Sequence, residues 1–284
     1  MNEIHRRTAL SALGLTAMAA AAKAGPLNPP PGDVAPTGRT NDEIYNKIPA
    51  PGASDGRTPI AGGNNLGIIA INQPGSYVLT GPIVVNAAAI FGILINSPDV
   101  TLDLNGYSIT CSSSGTVAIS IQNNCNRVTV RNGRTVGGFA GITTGVALRN
   151  VVLEDLSVSG TRGTGIFFDS SVGVVRRCTL YDIGVASAST DGFTVAGFSL
   201  TGSGSRLEDC SAFNVVHNAA GQSVRAYTIT GDWVISNCIA YNFSVPPAPT
   251  TGIFCNSPAS IRRNCRSVNF TNAYVGGTDA GGNF

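Results

Sequence analysis

Residues 165–183 read GIFFDSSVGVVRRCTLYDI, and their order of apolar and polar positions returns six more times along the chain. The other copies begin at Gly92 (GILINSPDVTLDLNGYSIT), Ala118 (AISIQNNCNRVTVRNGRTV), Gly145 (GVALRNVVLEDLSVSG), Gly197 (GFSLTGSGSRLEDCSAFNV), Ala226 (AYTITGDWVISNCIAYNF) and Gly252 (GIFCNSPASIRRNCRSVNF). Six intervals separate Gly92 from Gly252, about 27 residues each, which is the spacing of a solenoid repeat. Within each copy the apolar residues alternate with period 2, and none keeps helical spacing for three turns, so the repeating unit is built of strands.

Successive side chains of a strand point to opposite faces, which gives each copy an inward pair on its first strand. The pairs are Ile93 and Ile95, Ile119 and Ile121, Val146 and Leu148, Ile166 and Phe168, Phe198 and Leu200, Tyr227 and Ile229, and Ile253 and Cys255. A second and a third strand follow and meet at a polar corner occupied by Asn132, Asp155, Arg177, Asp209, Asn237 and Asn264. Asn and Asp tolerate a left-handed backbone or hydrogen-bond the turn themselves. Just past the corner an inward column reads Gly133, Leu156, Cys178, Cys210, Cys238, Cys265.

Two residues before that column lies an outward row: Arg131, Glu154, Arg176, Glu208, Ser236, Arg263. Its alternating sign is what stacked neighbours about 4.8 Å apart would favour. The last copy fits poorly, because the same frame turns Arg262 inward where earlier copies place Leu207 and Ile235. A bulge or a frayed end is expected there.

These corners, columns and apolar first strands resemble the right-handed parallel β-helix repeat proteins of the pectate-lyase-like superfamily, over about residues 66–270. The resemblance implies an all-β, right-handed parallel β-helix of seven to eight coils. It says little about activity, since that superfamily holds polysaccharide lyases, glycoside hydrolases, epimerases, tailspikes and adhesins.

The N-terminus pairs Arg6 and Arg7 with an apolar run and an Ala22-Lys23-Ala24 cleavage pattern, the signature of an export leader over residues 1–24, read as twin-arginine. The expected destination is the periplasm, the cell surface or the medium, with no membrane span after cleavage. Residues 25–65 are a Pro- and Gly-rich linker with a capping-box pattern at residues 40–43 that predicts a short cap helix ending before Pro49. Residues 66–85, with a turn at Pro74-Gly75, are expected to make a first irregular coil. The Gly-rich tail of residues 271–284 either folds over the last coil or leaves it to a second copy, so a homo-oligomer through the C-terminal coil is one expectation.

The formal charge is +2, and the leader's Arg6, Arg7 and Lys23 against Glu3 account for that excess. The remainder is balanced and shows no basic stripe or nucleic-acid motif, which argues against a nucleic-acid partner. Seven cysteines are present. Cys178, Cys210, Cys238, Cys265 and Cys255 read as small core hydrophobes, while Cys111 and Cys125 flank one loop and are candidates for pairing. No Cys or His spacing suggests a metal site. No cofactor is expected, and calcium lacks an acidic cluster to hold it.

In the superfamily this chain resembles, ligands lie along the outside of the first strands. The outward positions here are Leu94, Ser120, Ala147, Phe167, Ser199, Thr228 and Phe254, followed by Asn96, Gln122, Arg149, Asp169, Thr201, Thr230 and Asn256. Phe167 and Phe254 could stack on sugar rings, with Gln122, Arg225 and Asn256 bonding hydroxyls or carboxylates, which makes polysaccharide the expected partner. The same two rings could instead pack beneath covering loops.

For chemistry, residues 189–193 (STDGF) resemble the Asn-Thr-Asp element of polygalacturonase-type hydrolases, which implies a role for Asp191. The rest of that signature is missing: Ser189 replaces the Asn, no Asp-Asp pair follows, His217 lies in Val-His-Asn, and there is no Arg-x-Lys. Ordinary glycoside hydrolysis needs two carboxyl groups, and Asp191 with Asp169 is the pair available. A lyase needs a base and a cation to hold the developing anion, for which Arg149 beside Asp169, with His217 as acid or base, are the candidates. Arg149 and Asp169 are equally well explained as a cross-coil ion pair, and His217 as a turn residue. Two functions therefore stand side by side: an exported polysaccharide-recognising protein of lyase or hydrolase type, and a non-catalytic surface or matrix module.

Overall fold

The computed structural model describes residues 56–187, 193–217, 222–243 and 250–284. All regular elements among them are strands. They pair in parallel into one sheet of first strands and one of second and third strands, forming a β-solenoid of about seven coils. The leader and the cap-helix pattern at residues 40–43 lie outside the described residues.

The first strands include Phe91–Ile95, Val117–Ile121, Ala140–Thr144, Thr164–Ser171, Val195–Thr201, Val224–Thr230 and Thr250–Cys255. One inward row runs Ile69, Ile93, Ile119, Ile142, Ile166, Phe198, Tyr227, Ile253, Tyr274 in continuous register. This corrects the third copy. Its first strand begins at Ala140 and not near Gly145, so Ile142 fills the column and Val146 is 60% exposed. Residues 145–150 are a turn that adds the two-residue strand Leu148–Arg149, with Leu148 still buried.

At the corner, Asn132, Asp155, Arg177, Asp209, Asn237 and Asn264 all take φ between +50° and +57°, as their residue types suggest for all but Arg177. Thr129–Gly137 and Val152–Ser159 run through this corner as single strands, which joins the second- and third-strand ladders into one sheet. The outward row follows the expected order, with Asp103 added below Arg131 and each residue in register with the next. Arg131 reaches Asp103 at 3.3 Å, and Arg176 reaches Glu154 at 2.5 Å.

The interior becomes aromatic toward the C-terminal coils. Phe198 stacks on Tyr227 with centroids 4.9 Å apart, and Phe168 meets Trp233 edge-on at 5.7 Å, pairs that each contribute about 0.5–1.5 kcal/mol beyond their burial. The Tyr227 hydroxyl donates toward the Cys210 and Ile239 carbonyls, which satisfies it inside the core. Cys178, Cys210, Cys238 and Cys265 are fully buried, each thiol directed at the carbonyl two residues earlier and at one in the preceding coil. Cys111 and Cys125 are buried as separate free thiols.

At the C-terminal end the expected bulge is absent. Ile261, Arg262 and Arg263 continue the register of Val234, Ile235 and Ser236, and Arg262 turns inward with only 6% of its surface exposed. The buried guanidinium donates to the Gly276 carbonyl and lies 5.1 Å from the Tyr274 ring, while its Nε has no partner. The tail supplies those contacts. Asn272–Val275 and Thr278–Asp279 add a further partial coil over the last full one, and Phe284 pairs by backbone hydrogen bonds with Cys265 and Ser267. At the other end, Thr58–Ile60 and Gly63–Leu66, within the segment read as a linker, already pair with the next coil, the latter with a register shift, so the irregular turn lies before the expected residues 66–85, whose strands keep continuous register.

Candidate functional site

The outward row of the first-strand sheet reads Leu94, Ser120, Thr143, Phe167, Ser199, Thr228, Phe254, Val275. Thr143 stands where the uncorrected frame put Ala147. Phe167 and Phe254 are three strand spacings apart, about 14 Å, with the hydroxyls of Ser199 and Thr228 between them. Both rings are partly exposed.

Arg225 is in register with Thr251 on the strand that precedes Phe254, and its guanidinium lies 4.0 Å from the centroid of that ring. A guanidinium over an aromatic face helps to fix the ring and keeps its donors available beside it. The Thr228 hydroxyl, next to Phe254 in the row, is buried without a partner. Toward the N-terminal coils the face is polar: Gln122 donates to the Ser120 hydroxyl at 2.9 Å, and Thr143 to the same oxygen at 3.4 Å. Asn256 is exposed, its backbone N–H tied to the Ile229 carbonyl at 2.8 Å.

The residues proposed for catalysis are distributed differently. Asp169 is outward and in register with Thr201; its carboxylate accepts from the Ala147 N–H at 3.3 Å and its own N–H donates to Thr144. Arg149 lies at the margin of the first-strand sheet, on the two-residue strand that pairs with the end of Thr164–Ser171. It sits exposed in the turn, in register with Ser171, with its N–H donating to the Asn126 side chain and its carbonyl accepting from Arg127. No ion pair joins Arg149 to Asp169 among the described residues. Asp191 lies outside the described residues.

His217 is 2% exposed at the opposite end of the sheet. Its Nε2 is 3.0 Å from the Phe193 carbonyl and its ring 5.6 Å from the Phe193 ring, which in turn meets Phe139 edge-on at 5.3 Å. Phe193 precedes Thr201, the partner of Asp169, by eight residues of mostly extended chain, up to about 26 Å. The fold therefore brings together Phe167, Arg225 and Phe254 along one face, leaves Arg149 and Asp169 as unpaired neighbours at the end of the sheet, and sets His217 apart from both.

A second aromatic row went unread in the sequence. Tyr181, Phe213 and Tyr241 are in register on the outside of the third strands, and Phe243 meets Tyr241 at 5.9 Å while 70% exposed. Its signal was the recurrence of an aromatic residue three positions past Cys178, Cys210 and Cys238.

No protein-family model, no curated protein and no solved structure matches this chain. Its architecture alone defines its class, a parallel β-helix repeat protein.

Proposed function

We propose that this chain is an exported carbohydrate-recognition β-helix, binding polysaccharide along the outside of its first strands without cleaving it. The observation that carries this reading is the Arg225–Phe254 stack, in one row with Phe167 and a run of Ser and Thr hydroxyls. A fixed ring supplies an apolar platform for the C–H face of a sugar, and adjacent guanidinium, amide and hydroxyl groups meet its hydroxyls. Recognition is favoured over turnover by the separation of Asp169 from His217, since acid–base work requires both groups within hydrogen-bond reach of one bond.

Affinity electrophoresis against a panel of neutral and acidic polysaccharides tests the proposal. Retardation by at least one polysaccharide is expected, with its Kd raised about tenfold by Phe254→Ala. Binding indifferent to both Phe254→Ala and Phe167→Ala contradicts the assigned face. New reducing ends, or an ultraviolet-absorbing unsaturated product, would return the enzymatic reading to first place.

A further inference from the structure

Around the corner between the second and third strands of the earlier coils, guanidinium and carboxylate groups pair off, and Arg134 stands outside those pairs. Asp103 holds Arg57 at 3.0 Å and Arg131 at 3.3 Å; Glu154 holds Arg176 at 2.5 Å; Asp155 holds Arg177 through two bonds of 2.6 and 2.8 Å. Arg134, exposed and two residues past the corner, makes no side-chain hydrogen bond or ion pair among the described residues.

Arg134 opens onto a groove of about 540 Å³, in the size range of small-ligand sites. Register builds its two walls. One is the row Arg134, Ser157, Thr179 at the start of the third strands. The other is the corner row Asn132, Asp155, Arg177, whose left-handed backbones turn the side chains outward. One coil lower the corner is wider: Asn105 and Gly106 both take positive φ, Tyr107 closes a turn onto the Leu104 carbonyl, and Gly106 lines the groove's end. The same turn places Leu104 where a side chain at position 133 would clash, which is why the inward column begins with glycine.

We propose that this groove binds the anionic group of an acidic sugar, a carboxylate or a sulfate ester, on Arg134. A guanidinium presents a planar fork of donors that fits either oxyanion in bidentate fashion. Asn132, Ser157 and Thr179 supply the donors and acceptors that ring hydroxyls need. The Arg177–Asp155 fork keeps the opposite wall in place. The site is separate from the first-strand face and shares with the proposed function only that the ligand is a carbohydrate.

The test is protection of Arg134, in the full chain, from an arginine-directed glyoxal reagent, read by peptide mass spectrometry. The probes are glucuronate, glucose 6-sulfate, glucose and sodium sulfate. One of the two charged sugars is expected to slow modification of Arg134, and which one does so separates a carboxylate from a sulfate ester. Arg134→Ala should weaken binding of that sugar about tenfold, Arg134→Lys less, and neither should shift the melting temperature, because the side chain has no partner to lose. Phe254→Ala should leave this protection intact, so failure of the first-strand reading is distinguishable from failure here. The proposal is overturned if neither charged sugar protects, if glucose protects equally well, or if sodium sulfate protects as well as both sugars, which would make the groove a bare anion site.

Discussion

Arg176 lies directly above Glu154 in the stacked second strands, and its guanidinium meets the carboxylate at 2.5 Å while Arg177 approaches the same oxygen at 3.5 Å. Below Glu154 the next residue in register is Arg131. The carboxylate therefore stands between two cations that lie two strand spacings, about 9.6 Å, apart. A double-mutant cycle with Glu154→Gln and Arg176→Gln should return a coupling of about 0.5–1 kcal/mol. Glu154→Arg should lower the melting temperature more than Glu154→Gln, because it stacks three guanidinium groups in one row. Equal effects of the two substitutions would contradict the register.

The bidentate contact with Arg177 holds the Asp155 carboxyl below its ordinary value of 3.8, and Arg127 does the same for Asp99. A carboxyl whose folded pKa is depressed contributes stability above its unfolded pKa and loses it as pH falls through the folded value. Arg177→Gln should therefore be less stable than the wild type at neutral pH, with the gap closing below about pH 3.8. Carboxyl-carbon NMR should show Asp155 titrating higher in the variant; an unchanged midpoint would remove the ion pair from the account.

All seven cysteines are buried, and burial pushes the Cys111 thiol up to about 12 and those of Cys210 and Cys238 upward as well. The native protein should leave an aromatic disulfide reagent uncoloured at pH 8 and release seven equivalents once denatured. Replacing Cys210 with Asp should prevent folding, since a carboxylate there would be buried among apolar neighbours, whereas Cys210→Ala should cost about 1–2 kcal/mol. Rapid native labelling of the column cysteines would contradict an inward column.

Arg262 occupies the slot that Leu207 and Ile235 fill in preceding coils. Arg262→Ala should destabilise by about 2–3 kcal/mol through a cavity and the loss of the bond to the Gly276 carbonyl. Arg262→Leu, which restores the aliphatic column and removes a buried charge, should stay within about 1 kcal/mol of the wild type. Thermal melts decide between them, and a leucine variant as damaged as the alanine one would mean that the guanidinium itself holds the end.

The alternation of period 2, the Asn and Asp at the corner and the sign-alternating row were legible because each is imposed by strand geometry on every coil. The third copy misled for a specific reason: Ile142 and Val146 both head an alternating run, and alternation cannot choose between them. Interval length could have. Ile119 to Ile142 and Ile142 to Ile166 are 23 and 24 residues, whereas a column through Val146 requires 27 and 20.

Arg262 defied the expectation of a frayed end because its partners, Gly276 and Tyr274, belong to a tail with no recognisable repeat. The Arg225–Phe254 stack was half legible, both residues being assigned to sugar binding, but their mutual contact depends on side-chain conformation that periodicity does not encode.

The central claim is that equivalent residues of successive coils lie in one vertical line. Ser108, Arg134, Ser157, Thr179, Ser211, Ile239 and Arg266 form such a line on the outside of the third strands, each in register with the next. Nitroxide labels on cysteines introduced at Ser108 and at Ser211, Ile239 or Arg266, measured pairwise by double electron–electron resonance, should give distances of about 19, 24 and 29 Å, rising by one strand spacing per coil. Distances that fail to rise from Ser211 to Ile239 to Arg266 would contradict the stacked solenoid and every face assigned on it.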